Sequence, residues 1–290
     1  MTDPSDDIRR DGFAVLPGLL DAARTARLRE VMDGIRARYL RHNPATRKPG
    51  FLSSPWHLPH IDHPAFYEDA PDWWLPEVCD LEAEPRIREL WHDATGDEPT
   101  FVYGALFMDP PLPYAVDAYM QKRAAPDGAG TWHRDVFEPT ADDVERATIL
   151  ANGRSRDDRN LLEIALVPSD SFEYLPGSHA RWDTPLELVA RKHGQTLGER
   201  TQPLPGGRRI HLEPGDALLV DGRGIHRGWY THGVTRRTIT LVYSGLERLE
   251  RYPDDVERPR CFLEPEHLAR LRPATRAYFQ NQLRYSLAWT

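Results

Sequence analysis

The stretch LEPGDALLV at residues 212–220 decides the fold class of this chain. Its centre, Pro214-Gly215-Asp216, is a turn signal, and the apolar residues 217–220 that follow are long enough for one short strand. The same texture continues in both directions, with further short apolar runs at residues 101–108, 114–122, 161–167 and 238–243. Gly, Pro, Ser and Asp mark turns between them at residues 169–171, 176–177, 205–207 and 222. Many short strands joined in this way predict a β-sandwich or a double-sheet jelly roll.

Helices are predicted on both sides of this β region. Asp21 has the residue type of an N-cap, and the residues that follow it to position 40 show the apolar spacing of three and four expected of a helix, at Leu28, Val31, Met32 and Ile35. A second helix is predicted over residues 85–92, and a third from Pro265 onwards with a break or kink at Pro273. The proline-rich residues 43–78 predict irregular structure.

These elements predict a single domain over residues 1–290 that is mostly β with flanking helices. We expect a helical and irregular N-terminal region at residues 1–100, a jelly-roll core at residues 101–245 and a helical tail at residues 246–290. This division places the strands, and any site that they build, in the middle of the chain.

The composition fits a globular protein and disfavours several classes of partner. Apolar residues make up 40% and charged residues 28% of the 290 residues, which is typical of a folded chain. The formal net charge of −8 disfavours binding to nucleic acid or to a membrane surface. Two cysteines, and no apolar run approaching ~20 residues, predict a cytoplasmic protein without a disulfide framework or a membrane span. The expected partner is a small-molecule substrate, and the oligomeric state stays open.

His133 and Asp135 are separated by one residue, and a second histidine, His226, follows far downstream. Side chains two positions apart on a strand share one face, so His133 and Asp135 can point at the same ion. Two imidazoles and one carboxylate occupy one face of an octahedral metal and leave three positions open, as in non-haem Fe(II) oxygenases. An arginine downstream, Arg237, could bind the carboxylate of a co-substrate. An isolated His-X-Asp is most often an ordinary surface pair, so the assignment depends on the motifs around it.

Several motifs accompany this triad in a fixed order along the chain. They are DGFAVLPGLL at residues 11–20, WHRD at 132–135, LPGSH at 175–179, LEPGDALLV at 212–220, then His226 and Arg237. In this order, over about residues 8–245, the chain resembles the phytanoyl-CoA hydroxylase (phytanoyl-CoA dioxygenase) family of Fe(II)- and 2-oxoglutarate-dependent dioxygenases. Each motif alone is weak, whereas the set is specific.

The resemblance implies a cupin-like double-stranded β-helix, which is a jelly roll, with Fe(II) as the cofactor and with 2-oxoglutarate and O2 as co-substrates. It implies that His133, Asp135 and His226 are the metal ligands and catalytic residues. It also implies that Arg237 pairs with the distal carboxylate of 2-oxoglutarate. Arg236 is the alternative, because a shift of one residue reverses the face on which a strand side chain lies.

Three further positions bear on the resemblance. Gln121 lies on the predicted strand before WHRD, where this fold places co-substrate contacts. Asp135 is present where halogenating relatives carry a small residue, which disfavours a chloride site and favours hydroxylation or another oxidation. Residues 136–160 match no family pattern.

The sequence therefore predicts a dioxygenase that hydroxylates a small molecule, either a secondary metabolite or an anionic compound. The arginines that flank the metal motifs are candidates for recognising an anionic substrate: Arg123, Arg134, Arg223 and Arg227. Two other functions stay open, namely a cupin-like metalloenzyme that does not use 2-oxoglutarate and a non-catalytic ligand-binding jelly roll. The sequence also leaves open desaturation or ring formation, which share the oxidising step with hydroxylation.

Overall fold

Two antiparallel sheets form the centre of the molecule. The computed structural model describes residues 3–42, 57–59, 61–62, 64–95, 100–108, 124–135, 141–150, 159–230, 235–244 and 265–287. The strands are β1 (Phe13–Leu16), β2 (His57–Pro59), β3 (Thr100–Phe107), β4 (Arg159–Ala165), β5 (Ser169–Tyr174), β6 (Arg208–Leu212), β7 (Ala217–Asp221), β8 (His226–Gly228) and β9 (Thr238–Ser244). A six-stranded sheet has the order β1-β7-β4-β9-β3-β2, and a three-stranded sheet has the order β6-β5-β8.

Helices precede, interrupt and follow the strands. They are α1 (Pro4–Asp11), α2 (Ala22–His42), α3 (Trp74–Glu82), α4 (Pro85–Thr95), α5 (Asp142–Leu150), α6 (Pro185–Leu188), α7 (Leu197–Thr201), α8 (Pro265–Ala269) and α9 (Pro273–Leu287). Short 3-10 segments lie at Pro64–Tyr67 and Ser178–Ala180, and a π-helical turn at Val189–His193. In the described ranges the helices contain more residues than the strands, so the expectation of a mostly β chain is wrong in its proportions. The physical reason is that a helical layer covers one whole face of the larger sheet.

The predicted helix boundaries are set by the residues that the sequence singled out. The Asp21 side chain accepts a hydrogen bond from the Arg24 backbone N–H at 2.7 Å, which caps α2. Pro273 begins α9 and separates it from α8, as the predicted break requires. The helix α3 was not predicted, because its proline suggested irregular structure. Pro76 lies in the first turn of α3, where no helical hydrogen bond from its nitrogen is needed.

The outer face of the six-stranded sheet packs against helices. Alternate side chains of its central strands, among them Leu162, Leu219 and Leu241, belong to one buried cluster with apolar residues of α2, α3, α4 and α9. From α2 this cluster includes the residues whose spacing predicted the helix, namely Leu28, Val31, Met32 and Ile35. Burial of these α2 residues against the sheet stabilises the packing of the helices on its outer face.

The inner face of the six-stranded sheet packs against the three-stranded sheet. A second buried cluster joins Leu161, Leu218 and Val242 of the larger sheet to Phe172 and Tyr174 of the smaller one. Two antiparallel sheets face to face, with flanking helices, are the architecture that the predicted jelly roll requires. "Inner face" below means the side of either sheet that faces this interior.

One predicted turn is a strand in the structure, and one predicted strand lies outside the described residues. Residues 169–171, predicted as a turn, begin β5, and the register with β6 shifts between Ser169 and Phe172. Such an irregularity lets Ser and Asp occur in a strand. The strand predicted at residues 114–122 lies outside the described residues, whereas α5 lies within the stretch 136–160 that showed no family pattern. Among the described helices, none combines the length and the apolar character needed to cross a bilayer.

Candidate metal centre

The backbone brings the two predicted histidine ligands directly opposite each other. His133 and His226 form an isolated antiparallel bridge, in which each backbone N–H donates to the other residue's carbonyl at 2.9 Å. Directly opposed residues present their side chains on the same side, and the two imidazole rings lie 4.3 Å apart between centroids. The Asp135 backbone N–H donates to the Gly222 carbonyl at 2.8 Å, which is two residues along one segment and four along the other, so the regular pairing ends at the bridge. The loop before His226 and the segment after His133 nevertheless stay side by side as far as Asp135.

The side chains of the three residues converge on one point. His133 Nε2 lies 3.8 Å from Asp135 Oδ1, and His226 Nε2 lies 3.6 Å from Asp135 Oδ2. All three donor atoms lie within 4.8 Å of one another, and no other group of this kind occurs among the described residues. Ligand bonds of ~2.1 Å place neighbouring donors about 3 Å apart, so a bound ion needs only a small inward shift.

Both imidazoles are held in the tautomer that a metal ligand requires. His133 Nδ1 lies 3.1 Å from the Thr131 carbonyl, and His226 Nδ1 lies 2.9 Å from the Gly224 carbonyl. Because a carbonyl oxygen can only accept, each Nδ1 carries the proton and each Nε2 keeps its lone pair for an ion. The donor set of two imidazole nitrogens and one carboxylate thus fits a non-haem iron centre.

The triad is buried on one side and open on the other. His226 is 3% exposed, whereas 48% of the His133 side chain is accessible. The His226 ring stacks on Phe172, with centroids 5.3 Å apart and planes 14° apart, and on Tyr174 at 6.2 Å and 8°. Burial is the largest single effect on the pKa of His226 and lowers it, but the Asp135 carboxylate, the Gly224 carbonyl and Glu163 together raise the pKa above its ordinary value. Within the triad, the accessible side is therefore that of His133 and Asp135, and His226 lies on the buried side.

Arg134, between the first two ligands, points away from the triad and is buried. Its guanidinium pairs with Asp183 and donates to the backbone carbonyls of Ser178 at 2.8 Å, Arg181 at 3.2 Å, and Arg223. It thereby connects the WHRD segment to the LPGSH turn and to the loop that precedes His226. Burial lowers the pKa of Arg134, and the Asp183 carboxylate partly offsets that effect. The expectation that Arg134 recognises an anionic substrate is wrong, because its donors are used inside the protein.

Arg227, which follows the second histidine, is buried in the same way. It pairs with Glu173 at 2.6 Å and donates to the Thr201 carbonyl at 2.7 Å. Its guanidinium also lies 4.2 Å from the Trp132 ring centroid and 4.9 Å from that of Trp229. These contacts rule Arg227 out as a substrate-binding residue as well. Each histidine ligand is thus followed by a buried arginine on the opposite side of the chain.

The remaining predicted positions have separate outcomes. Arg223 pairs with Asp221, and Arg123 and Gln121 lie outside the described residues, so the role of Gln121 stays a prediction. In the LPGSH turn, the Ser178 hydroxyl accepts from the Ile225 backbone N–H at 2.7 Å, next to His226. This contact supports the structural role expected of that turn.

The two candidate arginines for the co-substrate lie on opposite faces of the larger sheet. Arg237 Nε donates to Asp33 of α2 at 2.9 Å, which places its side chain on the outer, helix-covered face. Arg236 Nε donates to the Thr238 hydroxyl at 3.1 Å, and its Nη2 donates to Glu163 at 2.6 Å. Thr238 and Glu163 lie on the inner face, so Arg236 shares the interior with the triad.

Sequence reasoning missed a polar cluster on this inner face. Glu163 lies opposite Thr240 in the pairing of β4 with β9, and the Thr240 hydroxyl donates to Glu163 Oε1 at 3.0 Å. Both residues are buried, together with Thr238, beside the apolar cluster of the inner face. The signal in the sequence is a single charge, Glu163, inside the apolar run LLEIALV at residues 161–167. A buried charge in such a run indicates a paired partner or a site.

Comparison with solved structures finds proteins of the same fold. The crystal structure of AviO1 from Streptomyces viridochromogenes Tue57 matches with a TM-score of 0.52 at 20% identity, over 83% of this chain and 93% of that one. HygX from Streptomyces hygroscopicus, with nickel and 2-oxoglutarate bound, matches with a TM-score of 0.56 at 16% identity, over 84% and 87%. EctD from S. alaskensis, with 2-oxoglutarate and 5-hydroxyectoine, matches with a TM-score of 0.52 at 17% identity, over 84% and 76%.

These likenesses confirm the predicted fold at the level of two antiparallel sheets with flanking helices. No protein-family model and no curated protein sequence matches the chain. The shared fold and the geometry of the triad are therefore the basis of any functional assignment.

Proposed function

We propose that this protein is an Fe(II)- and 2-oxoglutarate-dependent oxygenase acting on a small molecule. The observation that carries the proposal is the convergence of His133, Asp135 and His226, with each imidazole Nδ1 facing a backbone carbonyl and each Nε2 facing the Asp135 carboxylate. A binding module has no need for such a donor set, and a catalytic metal site needs three protein ligands with open positions beside them. The resemblance to the phytanoyl-CoA hydroxylase family supports the same assignment.

The structural neighbours add support for the cofactors. HygX holds nickel and 2-oxoglutarate, and EctD holds 2-oxoglutarate with a hydroxylated compound. We infer from them, and from the two facing sheets of this chain, a double-stranded β-helix with Fe(II) at the triad. Residues 1–290 would then form one catalytic domain, with the strands of residues 101–245 as its core.

The protein's own residues would bind the iron ion, orient the substrate and keep water away from the buried side of the site. An iron ion held by the triad would supply the oxidising chemistry, with 2-oxoglutarate and O2 as co-substrates. His226, which is buried and stacks on Phe172 and Tyr174, would fix one side of the ion and exclude water there. His133, which is accessible, would mark the side from which the substrate approaches. A hydrogen on carbon facing that side would be the one removed, and we keep hydroxylation as the proposed reaction, with desaturation and ring formation as alternatives that share this step.

Arg236 is the better-placed residue for the distal carboxylate of 2-oxoglutarate. Its guanidinium lies on the inner face with the triad, whereas Arg237 lies on the outer face and pairs with Asp33. Both residues follow His226 closely, so the sequence had left the choice open. We therefore propose Arg236 in the role first predicted for Arg237, and keep Arg237 as the alternative that mutation decides.

Anaerobic titration tests this function directly. Adding Fe(II) and then 2-oxoglutarate to the metal-free protein should produce the weak visible charge-transfer band of the chelate, and His226→Ala should abolish it. His211→Ala is the matched control, since His211 is an exposed histidine held by Asp170 and Glu213 away from the triad. A band in the control and none in His226→Ala supports the assignment. Iron binding without a band in the wild-type protein would overturn the use of 2-oxoglutarate.

One observation favours a second candidate function. Both arginines already pair with carboxylates of the protein, Arg236 with Glu163 and Arg237 with Asp33. A cupin-like metalloenzyme that does not use 2-oxoglutarate would have no need of an available arginine. Metal-dependent turnover that is independent of 2-oxoglutarate would establish this candidate.

A further inference from the structure

The inner face of the larger sheet carries its own carboxylate at the proposed co-substrate position. Glu163 Oε2 accepts from Arg236 Nη2 at 2.6 Å, and Glu163 Oε1 accepts from the Thr240 hydroxyl at 3.0 Å. Arg236 Nε donates to Thr238, and its guanidinium lies 4.7 Å from the Phe107 ring centroid. The carboxylate and the guanidinium therefore form one fixed, hydrogen-bonded unit.

This ion pair is shielded from solvent. The Arg236 side chain is 11% exposed and the Glu163 side chain 7% exposed. Salt and water screen buried charges less than surface charges, so the negative charge of Glu163 acts more strongly on an anion near Arg236 than a surface carboxylate would. A guanidinium that is already paired with a carboxylate attracts a second carboxylate less strongly than an unpaired guanidinium does.

We propose that Glu163 is an internal competitor of the co-substrate and thereby determines its affinity. The inference rests on the proposed function, since it takes the distal carboxylate of a 2-oxo acid as the ligand of Arg236. That carboxylate must share the Arg236 donors with Glu163, or displace it, against the repulsion between two negative charges. Glu163 therefore holds the affinity for 2-oxoglutarate below what the arginine alone would give.

The substitution Glu163→Gln isolates the charge from the shape. Glutamine has the same size and can still accept from Arg236 through its amide oxygen, so Arg236 stays in place while the competing charge is removed. We expect the dissociation constant of 2-oxoglutarate, read from the charge-transfer band of the anaerobic Fe(II) protein, to fall about ten-fold. If Glu163 only positioned Arg236, the dissociation constant of 2-oxoglutarate would rise instead. The reason is that the hydrogen bond between the two side chains weakens when residue 163 loses its charge.

Asp33→Asn is the matched control. It removes the same charge from the corresponding pair on the other face of the sheet, that of Arg237, and should leave the dissociation constant unchanged. Circular dichroism of both variants verifies the fold, and Glu163→Ala replaces Glu163→Gln in the titration if the glutamine variant does not fold.

The outcomes separate the inference from the proposed function. A lower constant in the Glu163 variant alone supports the inference. An equal or higher constant with a normal band overturns it while leaving the oxygenase assignment in place. A fall in Asp33→Asn instead of the Glu163 variant overturns it in favour of Arg237. Absence of the band from every protein overturns the inference together with the proposed function.

Discussion

Replacing Arg134 by methionine should destabilise the protein strongly, although Arg134 touches no substrate. The change leaves the side chain of Asp183, which is fully buried, without one of its two arginine partners, and leaves the carbonyls of Ser178, Arg181 and Arg223 without this donor. Breaking a buried ion pair from one side costs ~3–5 kcal/mol, and each buried acceptor left unsatisfied adds to that figure. A loss of about 4 kcal/mol is a large part of the ~5–15 kcal/mol that holds a domain folded.

Urea unfolding followed by circular dichroism measures this loss through the transition midpoint at constant slope. Arg9→Met is the matched control, because Arg9 and its partner Asp6 have side chains 50% and 63% exposed. An exposed pair of this kind is worth less than ~1 kcal/mol. If the midpoint of Arg134→Met lies as close to wild type as that of Arg9→Met, the network around Arg134 does not hold the ligand segments together.

Other substitutions and conditions have equally definite expectations. Arg236→Ala should raise the dissociation constant of 2-oxoglutarate by about ten- to hundred-fold, since a charge-assisted hydrogen bond contributes ~1.5–3 kcal/mol. Arg237→Ala should change this constant less than about two-fold. The reverse order in the titration of the charge-transfer band would return the role to Arg237. Gly224→Ala should weaken Fe(II) binding and lower the melting temperature. The new Cβ would lie 1.6 Å from the Tyr174 hydroxyl and would displace the Tyr174 ring, which stacks on His226. An unchanged Fe(II) affinity and an unchanged melting temperature would show that the loop accommodates the methyl group. The two carboxylates beside His211 raise its pKa above the ordinary 6.5, so its contribution to stability is present below pH 6.5 and is lost as pH rises through the higher folded value; an NMR titration midpoint at or below 6.5 would contradict this.

Much of the fold could be predicted because local signals agreed with the tertiary structure. The α2 stripe, the Asp21 cap and the break at Pro273 all depend on neighbours in sequence. The helix α3 could not be predicted, because a proline in the first turn looks the same in sequence as one that prevents a helix. The strand β6 was not predicted, because its sequence RRIHL is largely polar and its pairing with β5 joins distant parts of the chain.

The clustering of the three candidate ligands was predictable from the sequence, but the residues around them were not. In an extended segment, side chains two positions apart lie on the same face, so a His-X-Asp sequence predicts that His133 and Asp135 lie close together. The face on which Arg236 or Arg237 lies depends on the register of β9 against β4, which no local pattern fixes. The pairing of Glu163 with Arg236 joins residues far apart in sequence, so only the sheet topology shows it.

The unequal burial of the two histidines determines how a bound ion would be lost. An ion leaves a three-ligand site one bond at a time, and the bond to the accessible His133 is the one that water or a chelator can attack first. His226 is buried and its ring is nearly parallel to those of Phe172 and Tyr174 at 5.3 and 6.2 Å, so its movement is restricted and it would release the ion last. Metal exchange should therefore follow the mobility of His133, and covering that imidazole would lengthen the residence time of the ion without any change in the ligands themselves.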